Sequence, residues 1–263
     1  MIDTHCHLTY KGLSGQMPAV VKRAADAGVD RMITIGLTPD DGQQAVAAAA
    51  RFEQVYAAVG VHPHYADRFI ERDQLVAAIR DLAARPKVVA IGEMGLDAHY
   101  PDPPMADQQR VLKWQLELAG ELPPRAIVIH NREATADTLA MLRASGIDGR
   151  RFVFHCFTGD RGELDAVLEF GAMVGYTGIV TFKNATETAY CAAQTPIDRL
   201  LIETDSPYCT PQPHRKVRPN EPCYVPHVAK FIAQLRGMTT EDLVRQVDAN
   251  AERFFGLASG DTD

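Results

Sequence analysis

Short runs in which almost every position is apolar alternate along this chain with longer stretches whose apolar residues recur every three or four positions. The runs fall at residues 1–7, 31–37, 55–62, 88–93, 126–130, 152–156, 172–176 and 200–204. Parallel strands buried on both faces read this way, because neither side of the pleat meets water. The stretches at 18–27, 43–52, 74–84, 108–118, 135–142, 163–170, 226–235 and 241–255 have the spacing of helices with one buried face. Gly28 is placed to end the first of them. Strands alternating with helical crossovers over this length predict an α/β fold, a (β/α)8 barrel of the TIM type. A doubly wound open sheet is the rival, but it usually carries a Gly-rich phosphate turn after its first strand. None follows His7. The expectation is one barrel domain over residues 1–263, with its site at the C-terminal mouth of the strands.

Composition narrows the class. With 263 residues and 46% hydrophobic content, the chain can bury a sizeable core. No apolar run is long enough to span a membrane. No basic segment followed by an apolar stretch opens the chain, so no secretory signal is expected and cytoplasmic residence is the default. The five cysteines, Cys6, Cys156, Cys191, Cys209 and Cys223, form no C-x-x-C pair. That argues against a disulfide framework or a thiolate zinc site and predicts buried free thiols. A net charge of -7 argues against a protein that coats long nucleic acid through a broad basic face. It leaves room for an enzyme that takes one nucleic-acid end into a metal site. The basic cluster at 214–218 reads as a solvated loop.

The chemistry lies at the ends of the apolar runs. His5 and His7 flank Cys6, and residues two apart on a strand share a face. Both imidazoles can reach one metal ion while Cys6 turns away. Later runs end in Glu93, His130, His155 and Asp205. A barrel gathers strand ends at one mouth, and burying so many polar groups is costly unless they are paired or bound to metal. These side chains outnumber the needs of one four-coordinate ion. Two divalent ions sharing a carboxylate fit better. The donor types admit zinc, manganese, nickel or cobalt, whereas magnesium prefers oxygen, so magnesium, manganese and zinc all stay open as cofactor.

As a set, these segments resemble the TatD family of metal-dependent hydrolases, within the amidohydrolase-like barrels. The matching segments are I-D-T-H-C-H-L at the start, G-V-H-P-H at 60–64, G-E-M-G-L-D at 92–97 and I-H-N-R-E-A at 129–134. H-C-F-T-G at 155–159, G-I-V-T-F-K-N-A at 178–185, E-T-D-S-P-Y at 203–208 and R-P-N-E-P at 218–222 continue the series in family order. The resemblance implies a (β/α)8 barrel and a divalent-metal-dependent deoxyribonuclease, often exonucleolytic from the 3′ end. It implies that His5, His7, Glu93 and Asp205 hold one ion, and that Glu93, His130 and His155 hold the other, with Glu93 bridging. The wider superfamily often bridges with a carbamylated lysine. Lys87 lies at the start of its strand, so none is expected here.

The expected reaction is in-line attack of an activated water on a phosphodiester. Asp205 orients the water or accepts its proton, Glu93 anchors the ions, and His62 contacts the phosphate or the leaving oxygen. Asp97 is placed to orient a ligand, and His64 is a weaker candidate. Arg132 is expected to pair with phosphate. The R-x-N-E-P element suggests a loop that brings Arg218 to the substrate and Glu221 to the polar network. Trp114 reads as packing. Proline-rich segments at 100–104 and 122–125 depart from the family pattern and are expected to change how the mouth is walled. The expected partners are DNA ends, single-stranded, with no membrane and no obligatory protein partner, on a monomer. The alternative activity is hydrolysis of an ester or amide, such as a D-aminoacyl ester on transfer RNA. A metal-binding scaffold without catalysis is the remote third reading, since loss of activity would not require a full ligand set.

Overall fold

The computed structural model describes residues 1–257. In chain order it runs β1 (Ile2–Cys6), α1 (Lys11–Ser14), α2 (Met17–Asp26), β2 (Arg31–Gly36), α3 (Pro39–Arg51), β3 (Val55–Val59), α4 (Arg72–Ala83), β4 (Val88–Asp97), α5 (Met105–Glu121) and β5 (Ala126–Arg132). It continues with α6 (Thr135–Ala144), β6 (Phe152–Phe154), α7 (Arg161–Phe170), β7 (Met173–Tyr176), α8 (Thr186–Gln194), β8 (Leu200–Ile202), α9 (Val225–Leu235) and α10 (Thr240–Phe255). The sheet has eight strands in sequence order, each parallel to the next. Closure occurs just beyond β8: His7 N–H donates to the Ser206 carbonyl at 2.7 Å, and Asp205 N–H donates to the His5 carbonyl at 2.9 Å.

Strand alternation divides the core into two layers. Ile33, Ile35, Ala58, Ala90, Val128, Val153 and Leu201 fill the barrel. Met32, Ala57, Val59, Ile91, Ile127, Phe154 and Ile202 face the surrounding helices. Each fully buried valine, leucine, isoleucine, methionine or phenylalanine among them contributes about 1.5–3 kcal/mol. Phe255, at the end of α10, and Leu257 join the interior layer beside Ile2 and so plug the floor. A site inside the barrel must therefore open at the opposite, C-terminal mouth.

Two irregularities break the alternation. Register shifts occur in β1 between Asp3 and Cys6 and in β4 between Ile91 and Met94. Ile2 and Ala90 belong to the interior layer, and the odd steps from them to His5 and Glu93 would point those side chains outward on a regular strand. The extra residue restores the inward direction, as a bulge does. Beyond it, Cys6, Met94 and Leu96 pack into the outer layer.

Several boundaries differ from expectation. β4 runs on through Asp97, whereas β6 and β8 stop earlier than the apolar runs suggest. The α8 helix was not anticipated, because its buried residues are the small Thr188, Cys191 and Ala192, which leave a faint apolar stripe. The 122–125 segment leads into the N-terminal end of β5. It thus lies at the floor of the barrel, and the expectation that it walls the mouth is corrected. Tyr100, Pro101 and Asp102 do line the mouth. Trp114 packs against the core under the Arg110 guanidinium, as expected of a packing residue.

Candidate metal centre

The mouth is a cavity of about 820 Å³ whose walls include His7, His62, Glu93, Asp97, His130, His155 and Asp205. Glu93 is buried and divides its carboxylate between two groups of imidazoles. Its Oε1 lies 2.6 Å from His155 Nε2, 3.0 Å from His130 Nδ1 and 3.5 Å from His62 Nε2. Its Oε2 lies 3.4 Å from His5 Nε2. On that second side, His5 and His7 bring their Nε2 atoms within 3.3 Å of one another. Asp205 Oδ1 is 3.3 Å from His7 Nε2 and 3.7 Å from His5 Nε2. All six residues expected as metal ligands therefore converge.

This donor set fits divalent cations. Groups of three donors, His5 with His7 and Glu93, and His5 with His155 and Asp205, each fall within 4.8 Å of one another. Two imidazole nitrogens facing each other beside carboxylate oxygens are an arrangement that a cation resolves. The Nδ1 atoms of His5, His7 and His155 are buried without a hydrogen-bond partner, so Nε2 is the atom each ring commits to the centre.

The charges are arranged to match. Burial and then the neighbouring His155 push His5 down to about 4. Burial holds His62 well below its ordinary range. Burial opposes charge on Glu93 as well, but His155, His62 and His130 outweigh it and keep the carboxyl ionised. Asp205 is likewise held below the ordinary carboxylate value by His7, His5 and His155 against the cost of burial. Burial also opposes charge on His130, yet its bonds to Asp97 and Glu93 lift it to about 9.

Two hydrogen bonds set the roles of individual rings. Asp97 Oδ2 is 2.9 Å from His130 Nε2 and 2.9 Å from His64 Nε2. With its Nε2 proton held by Asp97, His130 keeps Nδ1 toward Glu93 and can give up the Nδ1 proton when a cation takes its place. Asp97 is itself fixed by the N–H groups of His99 and Tyr100 on Oδ1. His62 is the opposite case. Its Nδ1 accepts the N–H of His64 at 3.1 Å, so the neutral ring carries its proton on Nε2. His62, Glu93 and His130 also bring donor atoms within 4.8 Å. An Nε2–H, however, suits donation to an oxyanion better than metal ligation.

Arg132 reaches the mouth and stacks over Tyr100 at 5.2 Å. Arg218 and Glu221 are not brought to the mouth wall. Arg218 donates to Thr210 Oγ1 and to the carbonyls of Arg215 and Val217 in its own loop. Glu221 receives two hydrogen bonds from Arg23 of α2, at 2.7 and 2.9 Å.

Sequence reasoning missed Glu203 and the aromatic wall. Glu203 is buried, with Oε1 at 3.8 Å from His155 Nδ1. Gly175 makes room for it, since a Cβ there would lie 2.6 Å from Glu203 Oε2. The signal was the acid inside the apolar run at 200–204, immediately after the β8 strand. Tyr65, Tyr100 and Tyr208 line the mouth, and no spacing in the chain announces them together.

Residues 2–256 match the family described as TatD related DNase. An uncharacterized metal-dependent hydrolase, YabD of Bacillus subtilis (strain 168), is 39% identical over 259 residues, covering 98% of this chain and 99% of that protein. The 3'-5' ssDNA/RNA exonuclease TatD of Erwinia billingiae is 38% identical over 262 residues, covering 98% and 99%. The crystal structure of YjjV, a TatD homolog from Escherichia coli K12, superposes with a TM-score of 0.91 at 28% identity, covering 98% of each chain.

Proposed function

The chain belongs to the TatD-related DNase family of metal-dependent hydrolases, and on that premise we propose that the described residues fold as one exonuclease domain that removes nucleotides from the 3′ end of single-stranded DNA with two divalent cations. The observation that carries this reading is the divided carboxylate of Glu93, one oxygen toward His155 and His130 and the other toward His5. His5, His7, Glu93 and Asp205 would hold one cation; Glu93, His130 and His155 would hold the other. Magnesium, manganese and zinc are the candidates.

When bound, the cations supply Lewis acidity, drawing charge from phosphoryl oxygens and making a nearby water easier to deprotonate. The chain's own groups do the rest. Asp205, ionised and facing His5 and His7, orients the attacking water and accepts its proton. The Nε2–H of His62 donates to the phosphate or to the leaving oxygen as charge develops there. Asp97 keeps His130 in one tautomer and one orientation. Arg132 pairs with a phosphate of the entering strand.

Two features support a strand end as substrate. The floor is plugged by Phe255 and Leu257, so a strand can enter but not thread through. Tyr65, Tyr100 and Tyr208 offer π-faces on which unpaired bases stack. No helix among the described residues is long and apolar enough to cross a membrane.

The test uses metal-stripped protein reloaded with magnesium, manganese or zinc and given end-labelled single-stranded DNA. Cleavage that returns with metal, shortens the 3′ end stepwise and disappears in Asp205→Asn is expected. Intact DNA beside metal-loaded protein would move the activity to an ester or amide.

A further inference from the structure

Cys156 and Cys209 are far apart in the sequence, yet both line the mouth beside Asp205. Their Sγ atoms and a carboxylate oxygen of Asp205 all lie within 4.8 Å of one another. Cys209 Sγ is 3.6 Å from Asp205 Oδ2, while Asp205 Oδ1 faces His7 and His5. Asp205 therefore splits its carboxylate as Glu93 does, one oxygen toward the imidazoles and one toward the Cys209 thiol, while the Cys156 thiol lies 3.4 Å from Thr177 Oγ1. Cys156, Asp205 and Cys209 also account for three of the five positive-φ residues other than glycine among the described residues, at 47°, 50° and 55°. Non-glycine residues in that region are uncommon and cluster at functional positions.

We propose that Cys156, Cys209 and Asp205 form a separate site for a thiophilic cation of the zinc class, and that its occupation inhibits the enzyme. The geometry suits a tetrahedral ion. Zinc–sulfur and zinc–oxygen bonds of about 2.3 and 2.0 Å at a tetrahedral angle place sulfur and oxygen about 3.5 Å apart. The Cys209–Asp205 edge already has that length, at 3.6 Å. The mouth provides the entry path, and water supplies the fourth position. Binding converts two thiols to thiolates and releases two protons, with the cation taking both sulfurs and no electron transferred. The inhibitory part rests on the function proposed above: an Asp205 oxygen committed to this ion is no longer available to take a proton from the attacking water.

Cobalt(II) is the probe. Metal-free protein titrated with cobalt(II) is expected to develop near-ultraviolet thiolate-to-cobalt absorption. The Cys156→Ser/Cys209→Ser protein should lack it while keeping the visible absorption of cobalt on the histidines and carboxylates. Zinc loading of the unaltered protein should remove two thiols from reaction with a thiol reagent, and a chelator should restore them. Absence of the near-ultraviolet band, its persistence in the double variant, or an unchanged thiol count overturns the site. None of these readings needs a DNA substrate, so they separate its failure from that of the proposed nuclease activity. In a manganese-activated assay, Cys209→Ser should need about tenfold more zinc, or beyond, for half-inhibition. Equal zinc sensitivity would overturn the inhibitory role alone.

Discussion

Glu93 Oε1 sits 2.6 Å from Nε2 of His155, while the other oxygen of the same carboxylate faces His5 at 3.4 Å. The carboxylate is buried, so it has no water to fall back on. Its removal would expose the imidazole groups to one another across an uncompensated gap. Glu93→Ala is therefore expected to lower the metal content per chain and to reduce cleavage about 10³-fold or more, a loss of about 4 kcal/mol in the transition state. Elemental analysis of the dialysed variant, paired with single-turnover cleavage, checks both. Full metal content in the variant would mean that Glu93 does not bridge.

The relation between Asp97 and His130 leads to a smaller effect. Asp97 touches the ring nitrogen of His130 that faces away from Glu93. Asp97→Asn can still accept at one atom, but it loses the charge that favours one tautomer. Partners of this kind typically govern 10–100-fold in metal affinity. The expected result is about 10–100-fold weaker manganese binding by calorimetry, with activity recovered at high manganese. Wild-type affinity would count against a positioning role.

Much of the centre was legible in the sequence, because each residue expected as a ligand follows an apolar strand run and barrels bring strand ends together. His5 and His7 were readable from simple alternation. The inward direction of His5 relative to Ile2, and of Glu93 relative to Ala90, was not. Each depends on a register shift that no residue pattern marks. Arg218 and Glu221 sit in a suggestive element, but their hydrogen bonds go to Thr210 and Arg23, partners fixed by loop packing. The approach of Cys156 to Cys209 needed β7 to pair with β6 on one side and β8 on the other, a long-range property that spacing does not contain.

Glu203 predicts a pH-dependent stability. Burial raises its carboxyl from 4.5 to about 7, against the pull of His155 and the Cys156 N–H. The folded protein thus holds this proton more tightly than the unfolded chain. The contribution is complete below 4.5 and is lost as pH rises from there to about 7. The shift corresponds to about 3 kcal/mol. Metal-free Glu203→Gln lacks this titration, so across that interval it should gain about 3 kcal/mol relative to the unaltered protein. Urea unfolding at pH values on either side of the interval measures the difference. A constant gap between the two proteins would remove Glu203 as the source.

Arg132 and Glu221 are expected to separate binding from scaffold. Arg132 lines the mouth and rests on Tyr100. Arg132 is the single arginine or lysine in the mouth lining among the described residues, so a phosphate there has few other cations to meet. Arg132→Ala should raise KM for single-stranded DNA about tenfold, the scale of one charge-assisted hydrogen bond, with kcat little changed. It should also flatten the salt dependence of KM by about one phosphate contact. Glu221→Ala breaks the forked pair with Arg23, whose side chain is 42% exposed. Such a pair is worth at most about 1 kcal/mol, so a modest fall in unfolding free energy is expected, with KM and metal content unchanged. The inverse pattern, in which Glu221→Ala raises KM while Arg132→Ala does not, would transfer substrate contact from the fifth strand to the loop after the eighth.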